Sequence, residues 1–109
     1  MSKPLVLAAD ASEELRRAIR HYEDERPGLG VELADLVEKV FHGLASGTLR
    51  PVTVPGLPLE LGVRRVLLDR FPFAIIHADE PDAIHIVAVA HLRRRPGYWL
   101  SRLPARKQR

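Results

Sequence analysis

Arg93-Arg94-Arg95-Pro96-Gly97-Tyr98-Trp99 sets three guanidinium groups and two aromatic rings directly after a strand-like apolar run. Guanidinium forks bind phosphate and carboxylate oxygens in pairs, so the chemistry on offer is recognition of an anion. His91 stands two residues earlier, and a histidine there is a candidate acid or base. The charge distribution sharpens the point. Residues 1–90 carry 14 Asp/Glu and 10 Lys/Arg, a balance of −4, whereas residues 91–109 carry seven Lys/Arg and no acid, a balance of +7. A basic, aromatic-bearing segment therefore leaves a mildly acidic body and attracts anions, whether phosphates or an acidic protein segment. Tyr98 and Trp99 call for burial. That separates residues 93–99 from residues 104–109, which read as a basic tail.

Other constellations offer less. His77 and His85 are spaced to face each other across a turn centred near Pro81, but no third ligand is placed by spacing, so neither a metal nor a cofactor is expected. Asp79, Glu80 and Asp82 read as a solvated acidic turn. The absence of cysteine excludes a disulfide or thiolate site and fits a reducing compartment. The longest early apolar run, residues 5–9, is too short for a secretion signal or a membrane span, so a cytoplasmic chain with no membrane partner is expected. The length of 109 residues, with 46% apolar and 28% charged side chains, suits one globular domain over residues 1–103.

The elements that must position these groups follow from periodicity. Leu5-Val6-Leu7-Ala8 is a short first strand. Asp10-Ala11-Ser12-Glu13 has the form of a capping box. A helix follows to about Glu25, with Leu15, Ile19 and Tyr22 on one face beside Ala11 and Ala18. Arg26-Pro27-Gly28-Leu29-Gly30 breaks it. A second helix, about residues 29–45, carries the stripe Leu33, Val37, Val40 and Leu44, and Gly47 stops it. The short break implies an antiparallel helical hairpin. Residues 48–61 read as a loop, because Pro51, Pro55 and Pro58 exclude a helix and a central strand; its apolar residues predict packing on the body. Residues 62–69, 73–78 and 84–91 read as three strands joined by short turns, hence an antiparallel meander. Alternation puts Ile84, Ile86, Ala88 and Ala90 on one face of the last strand and His85, Val87, Val89 and His91 on the other. The order β-α-α-β-β-β predicts an α+β fold, with an antiparallel sheet and the helical hairpin packed on one face.

Three segments carry a family resemblance. Tyr22-Glu23-Asp24-Glu25-Arg26-Pro27-Gly28-Leu29-Gly30 resembles the WYEERRPGLG hinge of the RelE/ParE toxin superfamily. Residues 63–75, from Val63-Arg64-Arg65 to Arg70-Phe71-Pro72-Phe73-Ala74-Ile75, resemble its VRRxLLxRFPYxI strand pair. Ala88-Val89-Ala90-His91-Leu92-Arg93-Arg94-Arg95-Pro96 with Trp99 resembles its AVxHxRRxPxxW ending. The segments keep the family's order and nearly span the chain, closer to the ParE branch than to RelE. The resemblance implies the same fold and a toxin of a type II toxin–antitoxin module. Its partner would be a cognate antitoxin that wraps an extended and helical tail around it. It would meet operator DNA only through that antitoxin. ParE-type members poison DNA gyrase by binding, and RelE-type members cut mRNA on the ribosome.

The residues bear on that choice. Ribonuclease chemistry needs an activated 2′-hydroxyl, a proton donor and clustered cations around the phosphate. Arg65 aligns with a basic residue of ribonuclease members, and His91, Arg93 and Tyr98 complete a catalytic set for that alternative, without a metal. Two further basic positions fall at Leu67 and Ala74, which removes much of the electrostatic stabilisation. The leading expectation is therefore a ParE-like binding inhibitor of DNA gyrase, with Arg65, His91, Arg93, Arg94, Arg95 and Trp99 contacting target or antitoxin. A ribosome-dependent mRNA endoribonuclease is the alternative, and a non-toxic binding relative the second. Phe73 and His77 stand where related chains carry tyrosine in FPYxIxY, so they are the positions at which a changed target would register.

Overall fold

A computed structural model describes residues 3–103; the basic tail, residues 104–109, lies outside the described residues. The elements in chain order are β1 (Leu5–Leu7), α1 (Ala9–Glu25), α2 (Leu29–Ser46), β2 (Val52–Thr53), β3 (Val63–Leu67), β4 (Phe73–Asp79) and β5 (Ile84–His91). Short 3₁₀ turns span Leu59–Leu61 and Leu100–Arg102. The strands form one sheet in the order β1-β5-β4-β3-β2, with β1 parallel to β5 and the other pairs antiparallel. The expected α+β arrangement with the helical hairpin on one face holds, but the sheet is mixed rather than antiparallel, because β1 runs parallel to β5, and one strand is added.

That strand is β2. Val52 and Thr53 pair with Arg65 and Arg64 at the sheet edge, the place where flanking prolines are tolerated. The segment around it packs in part as expected: Val54, Leu57 and Leu61 lie against the outer side of the sheet, while Val52 and Leu59 stay exposed.

The helices form as their stripes predict. Leu33, Val37, Val40 and Leu44 of α2 join Ala11 and Ala18 of α1 over Ile75, Ile86 and Val89 of the sheet. The capping box does not form. Ala8 occupies the N-cap and its carbonyl accepts from Ser12 N–H. Asp10 is thus already inside the first turn, and Glu13 pairs with Arg16 (2.7 Å) and Arg17 (3.3 Å) instead. The helix starts early because β1 runs straight into it, with Ala8 N–H still bonded to Ile86 of β5.

The hinge between the helices turns on Gly28, at φ 93°, a conformation costly for residues with a Cβ. Glu23 locks it: its carboxylate accepts from Gly28 N–H (2.9 Å) and Gly30 N–H (3.0 Å). Gly30 lets the helices close, because a Cβ there would lie 2.5 Å from the Ile19 carbonyl oxygen.

The faces of β5 differ from strict alternation. Ile76 pairs with Ala88 and His77 with Ile86, which leaves Val87 as an extra residue in a bulge. An extra residue swaps the sides of everything beyond it. Ile84, Ile86 and Val89 therefore face the helices, whereas Val87, Ala88 and Ala90 face outward. The same register corrects the expected histidine pair. His77 lies opposite Ile86 and His85 opposite Ala78, and no group of three or more metal-binding side chains occurs among the described residues. His77 is fully buried, with Nδ1 2.7 Å from Asp79 Oδ1.

Candidate binding surface at the end of the last strand

Beyond His91 the chain doubles back. Leu92 N–H bonds to the Pro72 carbonyl, Arg94 N–H to His91 and Tyr98 N–H to Arg95. Gly97, at φ 82°, permits the last tight turn. This path delivers Trp99 to the outer face of the sheet, where it is 4% exposed in a cluster with Ala74, Ile76, Ala88 and Ala90. The three alanines leave the space that the indole fills. Stripping such a ring from a core costs about 3–5 kcal/mol, so Trp99 anchors the whole terminal segment.

The second anchor joins that segment to α1. Glu14 accepts from Arg102 Nη1 (3.0 Å) and Nη2 (2.9 Å), from the Tyr98 hydroxyl (2.7 Å), and from Val89 N–H (2.9 Å). Arg102 Nη1 also donates to the Val87 carbonyl (3.3 Å). β1 pairs with β5 only as far as Ile86. The Glu14–Arg102 pair thus continues the edge where β1 stops, giving partners to strand groups that would otherwise be left bare. Burial, then the bond to Glu14, pushes the Tyr98 hydroxyl up to about 12. Two guanidiniums lie over the ring, Arg94 at 3.9 Å and Arg102 at 5.1 Å from its centroid.

Around these anchors sit the expected residues. Arg65, Arg94 and Arg95 border one cleft of about 100 Å³ on the outer face, over Ala74, Ile76 and Trp99. Arg64 and Arg65 point to opposite faces, as adjacent strand residues must. Neither makes an ion pair with Glu60 or Asp69 among the described residues. Arg65 Nε is buried without a hydrogen-bond partner. Arg93, Arg94 and Arg95 are exposed and likewise lack a carboxylate partner among the described residues. Arg93 borders neither this cleft nor its neighbour.

His91 stands at the strand end with its ring edge-on to Phe73, centroids 5.1 Å apart. Its Nδ1 accepts from Arg93 N–H at 3.0 Å. In the neutral ring this leaves the proton on Nε2. Leu67 and Ala74 pair across β3 and β4, with Ala74 opposite Ala90. This row of the outer face is apolar, and Leu67 is half exposed.

His91, Arg94 and Tyr98 also border a second cleft, about 260 Å³, on the α1 side. Sequence reasoning missed Glu14, Arg102 and this cleft. Glu14 did leave a signal: it lies between Ala11 and Ala18 on the apolar stripe, where an acid needs a partner. A wider concavity, about 600 Å³, runs along the solvent side of α2. Its Asp35, Glu38 and Lys39 are of mixed sign and carry one net negative charge, so it gathers no cations for an anion.

No protein-family model matches the chain, and no curated protein does. Among solved structures, a chain of "Chromosomal ParDE TA system from P. aeruginosa" superposes with a TM-score of 0.68 at 21% identity, covering 84% of this chain and 98% of that one. At that identity the likeness is one of architecture, two helices against a mixed sheet, and this chain has the α+β fold of that ParDE-system chain.

Proposed function

We propose that this chain is the toxin of a type II toxin–antitoxin module. In this reading it acts in the cytoplasm by binding DNA gyrase, has no chemistry of its own, and is neutralised by a cognate antitoxin. The observation that carries the reading is the outer cleft: three arginines without carboxylate partners among the described residues surround an apolar floor. An acidic partner segment with apolar side chains complements such a surface in both charge and burial. Leu67 and Ala74 favour a protein over a phosphodiester, because that row offers contact area and no cation. The fold shared with a ParDE-system chain supports the module. Arg65, Arg94 and Arg95 meet the partner directly, Arg93 and His91 flank them, and Trp99 holds the floor from beneath.

The test is pulse-labelling of DNA and protein synthesis in the first minutes after the chain is induced alone. DNA synthesis falling first is the expected result. Protein synthesis falling first would favour a ribosome-dependent ribonuclease, and no fall in either would favour a non-toxic binding relative.

A further inference from the structure

We infer that the cleft between α1 and the end of β5 is a second docking point, on the other side of His91, Arg94 and Tyr98 from the arginine-lined outer cleft. Its occupant is an acidic peptide segment, seated with an aliphatic side chain on the floor and a carboxylate at the rim. The choice of an acidic protein partner rests on the reading above; the location does not. The floor is Ala18, Tyr22, Phe73 and Val89, and the rim carries Arg17 and Arg94.

The charge balance of the cleft is positive. Glu14 is the carboxylate facing it, and its oxygens are already taken up by Arg102, Tyr98 and Val89 N–H. His21 at the edge pairs with Glu25 at 3.1 Å, and His91 is occupied through Nδ1. Two cations remain available. Arg94 sits over the Tyr98 ring, its Cζ 3.9 Å from the centroid, which steadies the guanidinium while its N–H groups have no carboxylate partner among the described residues. Arg17 is 74% exposed and held only by Glu13 at 3.3 Å, a surface pair weak enough to exchange for a better acceptor.

Size favours a peptide. At about 260 Å³ the cleft is smaller than the roughly 300 Å³ at which whole small-molecule sites begin. It accommodates one or two side chains, and its apolar floor suits an aliphatic group.

The test is a titration of the ¹⁵N-labelled full chain with an N-acetylated eight-residue peptide of Leu flanked by Glu, followed by NMR. A matched peptide with Gln for Glu is the control. Saturable shifts at the amides of Ala18, His21 and Val89 are expected, with the Gln peptide weaker. Arg17→Glu, on an exposed side chain, should weaken binding by about tenfold with an unchanged melting temperature. Arg65→Ala should leave these shifts in place. Shifts confined to Val54, Arg65 and Ile76, equal binding of both peptides, or no saturation would overturn the inference. Displacement from the same amides by an eight-nucleotide single-stranded RNA would also overturn it, in favour of nucleic acid. The readout contains no gyrase, so failure of the gyrase reading and failure of this one are told apart.

Discussion

Arg102 holds Glu14 through two bonds, of 2.9 Å and 3.0 Å, although the residues are 88 apart in the chain. The pair ties the C-terminal segment to the first helix, and so fixes the direction in which residues 93–99 present their arginines. Both side chains are mostly buried, 14% and 20% exposed. Removing Glu14 leaves Arg102 only the exposed Asp10 carboxylate, 3.6 Å from its Nε, and breaking such a mostly buried pair costs about 3 kcal/mol. Glu14→Ala also takes the acceptor from Val89 N–H. The variant should therefore melt more than about 10 °C below the parent, read by circular dichroism. A drop of only a degree or two would mean that the pair is no clamp.

His77 predicts an acid-sensitive core. Burial pushes its pKa below the ordinary histidine value, Arg64 adds to this, and Asp79 opposes it. The unfolded chain therefore takes up a proton near pH 6.5, before the folded chain does. The stability that neutral His77 contributes is complete above that pH and is lost as pH falls through the depressed folded value. Urea unfolding between pH 7.5 and 5 should show this decline in the parent and a flatter profile in His77→Phe. Parallel profiles would show that other groups set the acid limit.

Gly30→Ala tests the closeness of the helical hairpin. The new Cβ would meet the Ile19 carbonyl oxygen at 2.5 Å and Glu23 Cβ at 2.9 Å. Neither the backbone of α1 nor the Glu23 staple can yield cheaply, so a loss of about 1–3 kcal/mol is expected from urea midpoints. An unchanged midpoint would mean that the helices separate freely.

How far the fold was legible depends on which features leave a period. α1, α2, β3, β4 and β5 came through because each helix buries one stripe and the strands are apolar runs of several residues, β4 and β5 being buried on both faces. β2 did not, since two residues between prolines have no period and become a strand only by pairing with Arg64 and Arg65. The bulge at Val87 was equally hidden, because an inserted apolar residue in an apolar strand looks like continuity. The capping box failed because β1 feeds α1 with no intervening loop, which moves the cap back to Ala8. In the site, the arginine cluster was visible as a run of charge. Glu14 and Arg102 were not, because only the folded path brings the two ends of the chain together.

The arginines themselves should be dispensable for folding. Arg93, Arg94 and Arg95 are exposed and make no ion pair among the described residues, and such surface changes usually move stability by less than about 0.5 kcal/mol each. Replacing all three by Ala should abolish growth arrest on induction and leave the melting temperature within a few degrees. Full toxicity at normal expression would move the binding surface elsewhere.

The most direct test of the central claim is DNA supercoiling by purified gyrase, titrated with the parent chain and with Arg65→Ala. Dose-dependent inhibition by the parent, at least tenfold weaker for Arg65→Ala, is the predicted result. Undiminished supercoiling at saturating parent chain, together with cleavage of mRNA on ribosomes, would contradict the account and make the outer cleft a catalytic site.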